Sequence, residues 1–172
     1  FIPLGAPTFG SDDINEVIDS LQSGWVGTGP KVGQFERDFG KYVGTQSALA
    51  TNSCTAALHL SLMSLELKPG DEVITTPMTF CATINTIIHA GGKPILADCN
   101  KDDFCINPEN ISEKITKNTR AILPVHFAGQ SCNMEDIMQL ANDHSLNVIE
   151  DCAHAIETTF DDNHAGTFGD FG

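Results

Sequence analysis

Residues 147–155 read N-V-I-E-D-C-A-H-A, an apolar pair that runs straight into two acids. Val148 and Ile149 look like the end of a buried strand, and Glu150, Asp151 and His154 follow at once. A buried carboxylate is costly unless a cation or a hydrogen-bond donor meets it. Side chains alternate across a strand, so the two acids face opposite sides and only one can serve a given site. The stretch therefore demands a partner for an acid at the carboxyl end of an apolar strand.

Working outward, short apolar runs recur at 48–51, 73–75, 94–97 and 121–125, with helical periodicity between them at 55–65, 79–89, 108–117 and 134–144. Gly70, Gly91, Gly92 and Pro108 punctuate the joins. Strands alternating with helices of this length predict an α/β fold, a mostly parallel sheet flanked by helices. Upstream, Ser11 is the expected N-cap of a helix whose Ile14, Val17, Ile18 and Leu21 share a face before Gly24 ends it. The loop 25–30 is rich in Gly and Pro, and a second helix carries Val32, Phe35, Phe39 and Val43. The organisation expected is an N-terminal helical segment with an active-site loop over 1–46 and an α/β unit over 47–172.

Composition narrows the partners. The 172 residues are 41% hydrophobic and 19% charged, as in an ordinary globular domain. A net charge of −14 with only 9 Lys and Arg argues against nucleic acid or an anionic membrane. No run is long enough to span a bilayer, and Phe1-Ile2-Pro3-Leu4 lacks a signal-peptide pattern. Six scattered cysteines without a C-x-x-C pair suit free thiols in a reducing cytoplasm, with neither a disulfide framework nor a metal site.

In open parallel sheets, ligands bind beyond the carboxyl ends of the strands. The run after 48–51 is small and hydroxylated and opens a helix: Ser53, Cys54 and Thr55 suit an anion at a helix N-terminus, or equally an ordinary N-cap. Phe80 heads the next helix, where a ring can stack on a flat ligand or simply join the core. His126 follows the 121–125 run and can orient a ligand or be a satisfied structural histidine. There is no Walker or G-x-G-x-x-G pattern, which disfavours a nicotinamide-dependent dehydrogenase. An anion cradle, a stacking ring and a carboxylate at one sheet edge suit a flat heteroaromatic phosphate. Pyridoxal phosphate needs its pyridine nitrogen held protonated, and Asp151 can hold it.

The runs G-W-V-G-T-G-P (24–30), N-S-C-T-A-A-L-H-L (52–60), G-D-E-V-I-T-T-P-M-T-F-C-A-T-I-N (70–85), P-V-H-F-A-G (124–129) and V-I-E-D-C-A-H-A (148–155) resemble, in order, the DegT/DnrJ/StrS family of sugar aminotransferases. The resemblance covers essentially the whole chain. It implies the large domain of a fold type I pyridoxal-phosphate transferase. Cys54 and Thr55 then hold the cofactor phosphate, Phe80 stacks on the ring, Asp151 meets the ring nitrogen and His154 lies near the ring hydroxyl. The 25–30 loop, with Thr28 as substrate contact, borders the sugar pocket, and His126 lies close to the site.

The activity implied is amino transfer, usually from glutamate, to a keto group on a nucleotide-linked deoxysugar, as in polysaccharide biosynthesis, by a homodimer. In this family the cofactor-bearing lysine follows a segment like Gly169-Asp170-Phe171-Gly172, where this chain stops, and Lys31, Lys41, Lys68, Lys93, Lys101, Lys114 and Lys117 do not fit its place. The expectation is an N-terminal part, truncated before that lysine and before the small C-terminal domain. Relatives with His in place of the lysine act as dehydratases, and a homologue that binds without catalysis is a further alternative.

Overall fold

The computed structural model describes residues 7–172, so the first six residues of the expected N-terminal segment lie outside it. Among the described residues there are six α-helices: α1 (Ser11–Ser23), α2 (Pro30–Val43), α3 (Cys54–Ser64), α4 (Cys81–His89), α5 (Pro108–Lys114) and α6 (Met134–His144). The strands are β1 (Glu72–Thr75), β2 (Lys93–Leu96), β3 (Thr119–Leu123), β4 (Asn147–Val148), β5 (Thr159–Phe160) and β6 (Asn163–His164). The first four form one parallel sheet in the order β2-β1-β3-β4, and β5 and β6 form an antiparallel hairpin.

Alternation along the strands builds two cores. Ile74, Ile122 and Val148 point to the layer of α5 and α6, where they meet Ile111, Met134, Ile137 and Ala141. Val73, Ala121, Leu123 and Ile149 point to the opposite layer, against Leu58 and Leu62 of α3 and Ile87 of α4. The order of strand addition reverses between β1 and β3, where the chain first crosses outward to β2 and then returns past β1, every strand staying parallel. Such a switch leaves a crevice beyond the carboxyl ends of the strands.

Local sequence explains the ends. Ser53 Oγ accepts from the Ala56 N–H at 3.1 Å and caps α3, and Asn107 does the same for α5 through the Glu109 N–H at 2.7 Å. At α1 the cap is Gly10 and Ser11 is the first helical residue, a correction to the expected cap; the Gly10 N–H instead donates to Asp13 Oδ2 at 2.7 Å. α1 buries none of its residues, and α2 buries only Gly40. Among the described residues, no helix is long and apolar enough to cross a membrane.

Two expectations need correction. The run 48–51 forms no strand among the described residues: the Ala50 N–H donates to Glu36 Oε1 of α2 at 2.9 Å, so a side chain takes a group that a ladder would use. The helix expected to reach residue 117 ends at Lys114, where Ile115 turns extended.

Candidate functional site

The two acids part as strand alternation requires. Glu150, on the α5/α6 side, is 2% exposed and collects four donors. Its Oε1 accepts from the N–H groups of Phe168 and Gly169, both at 2.8 Å. Its Oε2 accepts from the Gly166 N–H at 2.8 Å and from His126 Nε2 at 3.0 Å. The other ring nitrogen of His126, Nδ1, accepts from the Cys132 N–H at 3.1 Å, so the network assigns the neutral Nε2–H tautomer. Burial by itself pushes the Glu150 carboxyl up, but donation from His126 and from the Gly169 and Gly166 N–H groups outweighs it and holds the group below the usual range.

His126, expected close to the substrate or as a satisfied structural histidine, is fully buried with both ring nitrogens engaged inside the fold, by Glu150 and the Cys132 N–H. With Cys152 it and Glu150 bring three ligand-type atoms within 4.8 Å. The His126 proton and the Glu150 oxygens are already committed, and burial beside the two acids raises the Cys152 thiol well above its ordinary range. The cluster is built as a clamp.

Asp151 faces the α3/α4 side and is 4% exposed. Its Oδ2 accepts from the Thr83 hydroxyl at 2.7 Å and its Oδ1 from the Ala153 N–H at 3.2 Å. The ion pairs among the described residues join Lys31 to Glu16 and Asp19, Lys93 to Glu72 and Arg120 to Asp71, while the neutral His126 ring gives Glu150 a hydrogen bond. Asp151 has no part in them. It is a buried acid at a strand end whose partners are one hydroxyl and one amide.

The remaining expected residues gather unevenly. Phe80 is the N-cap residue of α4, one turn before Thr83, and leaves 74% of its surface exposed. Cys54, at the start of α3, is close enough for desolvation and the Asp151 charge to raise its thiol. The N–H groups of Cys54 and Thr55 find no acceptor among the described residues, whereas the Ser53 hydroxyl is occupied as a cap. His154 is exposed, its ring 6.4 Å from that of Phe127, and it lines an open cavity of about 490 Å³ with Gln130, Ser131, Glu157 and Thr158. Thr28 is exposed, and its carbonyl accepts from the Trp25 indole at 2.9 Å. Gly29 permits that fold-back: a Cβ there would lie 2.1 Å from the indole nitrogen.

Thr83 and the clamped segment 166–169 are the residues that sequence reasoning did not single out. The signal for Thr83 was its spacing, one helical turn after Thr79 and directly behind Phe80.

These features fit a phosphorylated pyridine: a free aromatic face, open helix N–H groups and a buried acid with acceptor capacity left, brought together at the ends of parallel strands. Fold and site thus define the cofactor-binding part of a fold type I transferase. Over residues 7–172 the chain belongs to the DegT/DnrJ/EryC1/StrS aminotransferase family. It is 48% identical over 170 residues to the spore coat polysaccharide biosynthesis protein SpsC of Bacillus subtilis (strain 168), a match that covers 99% of this chain and 44% of that protein. The chain thus spans less than half the length of that relative.

Among solved structures it resembles the aminotransferase from Psychrobacter cryohalolentis, with a TM-score of 0.92 and 36% identity over 97% of this chain and 43% of the other. It also resembles the putative sugar aminotransferase Spr1654 from Streptococcus pneumoniae in its PMP form, with a TM-score of 0.94 and 34% identity over 99% of this chain and 46% of that one. The same protein is known in a PLP form, so the cofactor of the family is pyridoxal phosphate and its amino counterpart.

Proposed function

We propose that the polypeptide carrying this chain is a pyridoxal-phosphate-dependent aminotransferase that moves an amino group from an amino acid, glutamate foremost, to a keto group on a nucleotide-linked deoxysugar. The observation that carries the reading is Asp151, an acid buried at the carboxyl end of the sheet with no cationic partner among the described residues. When bound, the cofactor supplies an electron sink that works best with its ring nitrogen protonated.

In this reading Asp151 holds that proton, and Phe80 covers one face of the ring. The N–H groups of Cys54 and Thr55 meet the phosphate at the positive end of α3, with Ser53 fixing the turn. His154 stands near the ring hydroxyl. The segment to residue 46 acts as a unit that lends the 25–30 loop, with Thr28, to the sugar.

The reading includes a second copy of the chain. Ile14, Val17, Ile18 and Leu21 on α1 are between 45% and 64% exposed, an apolar face that supports self-association. The six cysteines are all unpaired, which supports a reducing, cytoplasmic setting.

The test is transfer itself. The purified polypeptide, loaded with pyridoxal phosphate and given 15N-glutamate and a nucleotide-linked keto sugar, should yield a 15N-labelled amino sugar by mass spectrometry. Loaded protein that leaves every such sugar unlabelled sinks the proposal.

A further inference from the structure

Asp151 is held by a directed relay of two hydroxyls that starts at Thr79, four residues before Thr83. The Thr83 hydroxyl lies 2.7 Å from Asp151 Oδ2, and the Thr79 and Thr83 hydroxyls are 2.7 Å apart. A hydroxyl carries one proton. Since Thr83 spends its proton on the carboxylate, Thr79 must be the donor to Thr83. The order Thr79 to Thr83 to Asp151 follows, and each donation strengthens the next.

Geometry makes the relay rigid. Thr83 is fully buried on α4, and its backbone N–H bonds the Phe80 carbonyl at 3.2 Å. The stacking ring and the hydroxyl that grips the acid are therefore one turn of one helix. The Ala153 N–H fixes the second carboxylate oxygen at 3.2 Å, so rotation about the carboxylate is stopped from both sides.

We propose that Thr83, backed by Thr79, is a positioning residue that holds the Asp151 carboxylate as an acceptor toward the cofactor's ring nitrogen, so that the shared proton stays on that nitrogen. The inference rests on the cofactor reading above. With both oxygens already accepting, one from the Thr83 hydroxyl and one from the Ala153 N–H, Asp151 is set to receive the ring N–H as a third donor, and the proton remains with the ring.

The experiment uses the full polypeptide that carries this chain and pyridoxamine 5′-phosphate labelled with 15N in the ring, a probe that needs no covalent lysine link. Binding is measured by titration and ring protonation by the 15N chemical shift. T83V keeps the branched shape and loses the hydroxyl; T83S keeps the hydroxyl and loses the methyl.

The expected result is binding about tenfold weaker in T83V, with the ring signal displaced toward the neutral pyridine, while T83S matches wild type. T79V, at a half-buried site where folding is not at stake, should move the signal the same way by less. An unchanged signal in T83V, or in T79V should T83V not fold, overturns the proposal, as does T83S behaving like T83V. Failure of the wild type to bind the probe overturns the cofactor reading and this inference together; normal binding with an unmoved signal in T83V overturns this inference alone.

Discussion

Glu150 and Asp151 are neighbours in the chain, yet their carboxylates sit in opposite layers and meet different partners. Glu150 collects His126 and three backbone N–H groups, and Asp151 meets the Thr83 hydroxyl and one amide. One acid secures the fold at the strand end, and the other is left with capacity for a ligand. Both solve the same physical problem, a buried charge, by different means.

Replacing Glu150 with Gln keeps the shape but offers only one acceptor oxygen to four donors. E150Q should cost about 2–4 kcal/mol and lower the melting temperature by about 5–15 °C. Thermal unfolding by circular dichroism measures it. A melting point equal to wild type would remove Glu150 from its role as clamp.

The same carboxylate sets a response to acid. Its folded-state value lies below the ordinary 4.5, so its contribution is complete above that pH and fades as pH falls through the lower folded value. Urea midpoints between neutral pH and about pH 3 should therefore fall less in E150Q than in wild type. Parallel curves for the two proteins would contradict the assignment.

The element pattern was legible in the sequence because the cores are built from period-2 strands and helices of ordinary length. Four of the five expected strands and all six expected helices stand within a few residues of their places. The 48–51 run misled because extended, apolar residues form a strand only where a partner ladder exists, and here Glu36 takes the Ala50 amide. The β5–β6 hairpin escaped notice although its turn had a signal: Asp161 and Asp162 both adopt positive φ, at 47° and 63°, as a two-residue hairpin loop requires. At the site, the sequence shows which residue types follow each apolar run but not their partners: a histidine beside a strand end, such as His126, looks the same whether it meets a ligand or a buried Glu.

Phe80 exposes 74% of its surface, too much for a core residue at the head of a helix. F80L should leave folding intact and weaken binding of pyridoxal phosphate by about three- to tenfold, the worth of aromatic stacking over area alone. Fluorescence titration gives the constant. Equal affinity in F80L would place the ring outside the cofactor contact.

The open face of α1 makes a separate prediction. A charge at its centre, in I18D or L21D, should shift the polypeptide toward monomer in sedimentation velocity while the helical signal persists. An unchanged dimer fraction in both variants would assign that face to some other use.

The account turns on Asp151, and a crystal structure of the full polypeptide soaked with pyridoxamine 5′-phosphate addresses it directly. The expected density places the ring nitrogen about 2.7–2.9 Å from an Asp151 oxygen, with the Phe80 ring over the pyridine and the phosphate at the Cys54 and Thr55 amides. A cofactor bound elsewhere, with Asp151 still meeting only Thr83 and Ala153, would contradict it.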